Sequence, residues 1–195
     1  MKKYLFFLTI LMLLLGATAT SRAELFDMGN GMVYDSDLDI TWYKNPKNTF
    51  MTWNDAMAWA KSLTAGGHRD WRLPATPGTE EGYVHEGEMG HLYYDTLDND
   101  DDGPLSNKGP FPELQPYDYW CSTDFDEDPA DFAWAFDFAT GRQRAIAKNS
   151  IAYGLAVRGG GGPPQMISPG EQPPVAIPER NGEDKTPREK PSPNY

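Results

Sequence analysis

Only one cysteine occurs in 195 residues, so Cys121 has no second thiol in the chain and no internal disulfide can staple the fold. The core has to hold by packing. Basic residues are also short in number, with 17 Lys and Arg against 29 Asp and Glu, for a formal net charge of −12. A surface of that sign repels phosphate backbones and anionic lipid, which excludes nucleic acid and anionic membrane surfaces as partners and suits cations or uncharged ligands. Serine nucleophiles lack their setting. Neither Ser122 nor Ser150 sits in a glycine elbow, so nucleophilic catalysis finds no support. Long hydrophobic runs are missing apart from residues 5–15, and that run is too short to span a bilayer comfortably.

That run reads instead as an export signal. Lys2 and Lys3 precede it, small residues follow it, and Ser21-Arg22-Ala23 supplies small side chains at the −3 and −1 positions of a cleavage site. The mature chain is expected to start near Glu24, with 1–23 removed. Loss of Lys2, Lys3 and Arg22 takes the formal charge from −12 to −15. No cysteine follows the run, so the signal is not of the lipoprotein type. The expected destination is the periplasm, the cell surface or the medium. From Gly159 the composition changes to a glycine run and frequent prolines with Tyr195 as the one aromatic residue. Such a segment buries too little apolar surface to offset its ordering entropy, so 159–195 is expected to be a disordered tail. Residues 24–158 remain as one domain of ordinary size.

Within the domain, Asn30-Gly31 between two short alternating stretches signals a tight hairpin. Residues 39–43, "DITWY", read as a further strand. Thr52 with Asp55 three residues on has the form of a helix cap, and Trp53, Ala56, Met57, Ala60 and Leu63 recur at helical spacing up to Gly66-Gly67, which is expected to stop the helix. A second helix is expected over 88–97, with Met89, Leu92, Tyr93 and Leu97 as its buried stripe. In "DFAWAFDFATG" the aromatic residues Phe132, Trp134, Phe136 and Phe138 alternate with small or acidic ones, the period of a strand. "YDYWCST" before it and "RQRAIAK" and "AYGLAVR" after it fit neighbouring antiparallel strands, with a turn at Thr140-Gly141. Two early helices and a late meander predict an α+β fold. The stretch "GGHRDWRLP" fits that plan as an extended link. Trp71 and Leu73 pack on one side, Arg72 points the other way toward a carboxylate or backbone carbonyls, and Pro74 denies the next amide to a ladder.

Several separated motifs carry a family resemblance: "GMVYDSDLDITWY", "MTWNDAMAWAKSLTAGGHRDWRLPAT", "EMGHLYY", "GPF", "YDYWCST" and "YGLAVR". In this order they cover nearly all of 24–158, and the chain resembles the C-terminal domain family of the Legionella collagen-like protein. The resemblance implies a C-type lectin-like organisation, a twisted antiparallel sheet with two flanking helices and a long loop region, here about 98–116. It also implies a secreted or surface module that binds and does not catalyse. Adhesion through sulfated polysaccharide, which the founding member implies, needs a basic surface and does not suit a chain this acidic.

Asp98-Asn99-Asp100-Asp101-Asp102-Gly103 places carboxylates at positions 1, 3 and 5 and glycine at 6, the opening of a calcium loop. Pro104 follows, and the twelfth position is Gly109 where the pattern has a bidentate glutamate. Glu113 or Asp118 would have to complete a site. The two readings are a calcium site on Asp98, Asp100 and Asp102, and a solvated acidic loop tip. "HEGEMGH" fails as a zinc-protease motif because His85 and His91 are six apart, not four; His91 is expected in a polar corner beside the second helix. "WND" at 53–55 resembles a calcium-and-sugar motif of true C-type lectins, but here it opens a helix and has capping duties. Cys121 reads either as a small buried substitute for serine or as half of an intermolecular disulfide. Asp118, Trp120, Asp124, Asp126 and Asp128, with Glu127 among them, form the expected ligand-binding set. These features predict an exported, non-enzymatic module for a glycan or surface protein, with calcium as its candidate cofactor. A structural or assembly subunit of the envelope is the alternative. An enzyme of the formylglycine-generating type would need paired active-site cysteines.

Overall fold

Asn30 and Gly31 both take positive φ, 51° and 77°, so the turn they make twists the same way as the strands it joins. It links β1 (Leu25–Gly29) to β2 (Met32–Asp35) as an antiparallel hairpin. The computed structural model describes residues 24–162. The expected export signal over 1–23 lies outside the described residues, as does the part of the expected 159–195 tail beyond 162; Gly159, placed in that tail, instead ends a strand and pairs with Ile40. Next come β3 (Ile40–Tyr43), β4 (Lys47–Met51), α1 (Trp53–Ser62), α2 (Glu88–His91) and a π-helical turn, Leu92–Thr96. After these follow β5 (Asp118–Asp124), β6 (Phe132–Asp137), β7 (Arg142–Ala147), β8 (Ala152–Gly154) and β9 (Val157–Gly159).

The described residues are mostly β-structure with two short helices. The strands form two sheets where the sequence predicted one: β1-β2-β3-β9 and β4-β8-β5-β6-β7. All paired strands run antiparallel except β5 and β8, which meet in parallel at Tyr119 and Tyr153. "AYGLAVR", read as one strand, splits at Leu155-Ala156, and its halves join different sheets.

The β6 alternation explains the packing. Trp134 and Phe136 face a large core together with Tyr119, Cys121, Phe138, Trp42, Leu92 and Tyr93. The other face offers Ala133 and Ala135, small enough for α1 to lie close with Ala56 and Ala60 over Trp120 and Ala152. Each of the fully buried large side chains contributes about 2–3 kcal/mol by removal from water. Gly154 is needed at this seam, because a Cβ there would sit 2.7 Å from a ring carbon of Trp59. Cys121 is free and buried, and desolvation pushes its thiol well above the ordinary range. It is a packed small side chain, shielded from a partner thiol.

Thr52 caps α1 by accepting the Asp55 amide, and its hydroxyl donates to Asp55 Oδ2 at 2.7 Å. The stop comes earlier than the glycine pair: Leu63 turns extended at ψ 133°, while Gly66 and Gly67, at φ 59° and 82°, make the following reversal. The second helix is likewise shorter than 88–97. After one α turn the ladder widens to the π form, with the Leu97 amide reaching the Leu92 carbonyl at 2.9 Å. A Cβ at Gly90 would run into the Val84 carbonyl, which accounts for a glycine inside this element.

The Trp71–Pro74 link joins the sheets. Arg72 exchanges both backbone bonds with Val157 of β9, at 2.9 and 2.8 Å. Two residues on, the Pro74 carbonyl accepts the Ser122 amide of β5 at 2.7 Å. Trp71 and Leu73 are buried in the α1-side core, and Pro74, lacking an amide, serves only as acceptor.

Candidate functional site

The start of α1, the β5–β6 connection and the turn after β7 meet around Lys148. The Trp53 amide donates to the Lys148 carbonyl at 3.1 Å, and the Lys148 amide donates to the Asp131 backbone carbonyl at 2.7 Å. Its ammonium, 13 % exposed, lies 2.5 Å from Asp124 Oδ1 and 2.7 Å from the Pro129 carbonyl. It also stands 4.0 Å above the Trp53 ring. One cation thus pins three segments by an ion pair, a hydrogen bond and a ring face. Trp53 is fixed from its other side by a 2.8 Å bond from its indole N–H to the Cys121 carbonyl.

An open cleft of about 560 Å³ lies here, lined by Thr52, Asn54, Ala130, Asp131, Lys148 and Asn149. Asn54, Asp131 and Asn149 are exposed. A more apolar groove of about 450 Å³ shares Asn54 and runs along Trp53, Met57, Lys61, Trp71 and Leu73. The cleft's lining has no histidine, cysteine or serine, and its one hydroxyl, on Thr52, already donates to Asp55. Two amides and a carboxylate beside a neutralised lysine can donate to and accept from hydroxyl groups. They do not make a nucleophile–base pair.

The expected ligand set is dispersed. Asp124 belongs to the cleft's supporting pair with Lys148. Asp126 is exposed in the same connection, and Asp128 accepts the Asp131 amide at 3.4 Å, holding its own turn. Asp118 lies elsewhere on the sheet, gripped by Arg144 through Nε at 3.2 Å and Nη2 at 2.5 Å. Trp120 is fully buried, with its N–H donated to the Met51 carbonyl at 2.8 Å, so it has no face to offer a ligand. Asp131 and Asn149 were not singled out by sequence, and Asn54 was weighed only within "WND" and assigned to capping. Asn54 is hidden by its place in a helix cap, and only the fold brings 149 beside 54.

In the acidic loop, Asp98 and Asp102 adopt positive φ, 57° and 53°, and Asp98, Asp100 and Asp102 are exposed. The inward residue is Asn99. Its amide donates to the carbonyls of Tyr93 (3.2 Å) and Asn107 (3.0 Å), while its oxygen accepts the amides of Ser106 (3.0 Å) and Asn107 (2.8 Å). Among the described residues, no group of three or more His, Cys, Asp or Glu comes together in a way that could hold a metal ion. His85 and His91 instead share Asp95, each through Nδ1 at 3.2 Å. His91 Nε2 is buried 3.9 Å from Asp37.

No curated protein matches the chain. The sequence pattern of the Lcl C-terminal domain matches residues 31–158, which takes in every strand from β2 to β8, both helices and the cleft. The chain belongs to the Lcl C-terminal domain family.

Proposed function

We propose that this is an exported, non-catalytic binding module of C-type lectin-like organisation that recognises a hydroxyl-rich, uncharged ligand, a glycan or other cell-surface component, at the α1 cleft. The observation that supports it most is the gathering of Asn54, Asp131 and Asn149 around an open cleft whose one cation is already neutralised by Asp124. Amides and a carboxylate of this kind pair with neighbouring hydroxyls, and a site without a free cation has no hold on sulfate. The two helices and the long loop over 98–116 support that organisation, while the division of the strands between two sheets departs from it.

A glycan array probed with the full chain and with Asn54→Ala/Asn149→Ala tests the reading. Selective retention of neutral saccharides is expected, weakened about tenfold in the variant, the equivalent of one or two hydrogen bonds. Parallel arms with calcium and with EDTA decide whether Asp98, Asp100 and Asp102 assist binding. Silence across the array in both arms, together with a co-purifying envelope protein, would favour an assembly subunit instead.

A further inference from the structure

Three aromatic rings lie together at the β4 side of the second sheet, on residues that the cleft does not use. Phe50 of β4 stacks on Tyr153 of β8, with centroids 4.5 Å apart and planes tilted by 28°. Tyr117, just before β5, stands edge-on to both, 5.7 Å from Phe50 and 5.2 Å from Tyr153. Behind them the buried Tyr119 meets Tyr153 at 5.5 Å. The Tyr119 hydroxyl accepts the Gln115 amide at 3.0 Å and donates to Asn48 Oδ1 at 3.4 Å. The group is therefore anchored to the core while its outer rings stay open: Phe50 is 47 % exposed and Tyr117 48 %.

The backbone accounts for this display. β4 and β8 pair at Lys47↔Gly154 and at Met51↔Ala152, so four steps along one strand oppose two along the other. The surplus is a bulge, which re-aims side chains and spoils the edge for strand addition. Here it carries Phe50 over Tyr153. Single exposed rings are ordinary on a protein surface, but two exposed rings packed on a third, half-buried one form a contiguous apolar patch of the kind that marks a binding surface.

Charge narrows the occupant. Asn48, Thr49, Gln115, Pro116 and Ile151, adjacent to the rings in the chain, are uncharged. Lys47 and Glu113 add one charge of each sign, and Asp118, next to Tyr117, has its charge met by Arg144. On a chain of net charge −12, such a neutral patch has no basic cluster for sulfate or uronate and no carboxylate cluster for a cation. A second copy would bring another strongly acidic body against the first. We infer that Phe50, Tyr117 and Tyr153 form a stacking platform for the apolar face of an uncharged pyranose ring, with the amides of Asn48 and Gln115 at its rim for hydroxyl groups. Aromatic faces suit the C–H side of a sugar ring. Asn48 Nδ2 and Gln115 Nε2 each donate to the Glu113 carbonyl, at 2.8 and 3.0 Å, which leaves each amide a second N–H for a hydroxyl. The inference rests on the reading of the chain as a glycan-binding module but uses a separate set of residues.

The full chain, Phe50→Ala/Tyr117→Ala and Asn54→Ala/Asn149→Ala are titrated with cellohexaose, chitohexaose and maltohexaose, with a heparin hexasaccharide as the sulfated control. Binding is followed by calorimetry and by side-chain NMR of the rings. At least one neutral hexasaccharide is expected to shift the Phe50 and Tyr117 resonances. The platform variant should lose at least tenfold in affinity while still unfolding cooperatively in urea at a somewhat lower midpoint, Phe50→Tyr should restore binding, and heparin should not compete. Equal affinity of the wild type and the platform variant overturns the platform. So do ring resonances that none of the three oligosaccharides moves. If only the Asn54/Asn149 variant loses binding, the cleft reading stands and the platform falls; loss in the platform variant alone gives the reverse. A wild-type dimer that the platform variant converts to monomer would replace the sugar with a second copy.

Discussion

Arg72 and Glu88 meet as a two-pronged ion pair: Nη1 lies 2.7 Å from Oε2 and Nη2 lies 2.6 Å from Oε1. Glu88 Oε2 also accepts the Ala75 amide at 2.6 Å, and the Glu88 amide donates to the Ala75 carbonyl at 3.0 Å. The Glu88 side chain is only 17 % exposed. The pair thus fastens the start of α2 to the link that joins the sheets, and it holds the Arg72 guanidinium above its ordinary proton affinity.

Arg72→Ala leaves that carboxylate half-served in a poorly hydrated place. A loss of about 2 kcal/mol in unfolding free energy is expected, above the worth of an exposed pair and below that of a fully buried one. Arg72→Lys should recover less than half of it, because an ammonium cannot match both oxygens. Urea unfolding measures both. A midpoint within error of wild type for Arg72→Ala would mean that the fork contributes nothing to stability.

The direction of Arg72 was legible because a strand period forces neighbours to opposite sides, and Trp71 and Leu73 had only the core to enter. Local chemistry was legible for the same kind of reason: Asn30-Gly31 fits one turn geometry, and Thr52-x-x-Asp55 fits one helix end. The two-sheet arrangement was not. Nothing in the alternation of "AYGLAVR" records that Tyr153 pairs beside β5 while Val157 pairs beside β3, since both halves keep the same period. The bulge in β4 was equally hidden, because "KNTFM" is mostly polar and its register depends on β8. For the same reason Phe50, Tyr117 and Tyr153 look like scattered core aromatics in the chain. Trp120 erred the other way: strand alternation put it on the Asp118 side, and only α1 and β4 bury that side.

Asn99 gives a second check, on the loop over 98–109. Replacing it with aspartate keeps the shape but removes both donors and turns a carboxylate toward the carbonyls of Tyr93 and Asn107. With Asn99 only 5 % exposed, Asn99→Asp should cost about 3 kcal/mol and Asn99→Ala about 2 kcal/mol. Amide hydrogen exchange should quicken at Ser106 and Asn107, whose N–H groups it accepts. Unchanged protection at those two amides in Asn99→Ala, which removes their acceptor, would show that the loop holds its form through other contacts.

Acid should loosen the fold partly through Asp70. Its carboxylate accepts Arg158 Nε at 2.9 Å, and that bond, ahead of all other causes, holds its pKa below the ordinary 3.8. Lys44 does the same for Asp27, with the Gly29 amide assisting. A carboxyl whose folded pKa is depressed binds fewer protons folded than unfolded, so its stabilisation is complete above pH 3.8 and fades as pH falls through the lower folded value. Both carboxylates are largely exposed, so each effect is small. Arg158, however, is 13 % exposed and loses its counter-charge when Asp70 is neutralised. Asp70→Asn should therefore be less stable than wild type at pH 7, and the gap should close below pH 3.8 as the wild-type carboxyl takes up its proton. Urea midpoints recorded from pH 7 to pH 2 give both curves. Parallel curves across that range would place the stabilising charge on some other partner of Arg158.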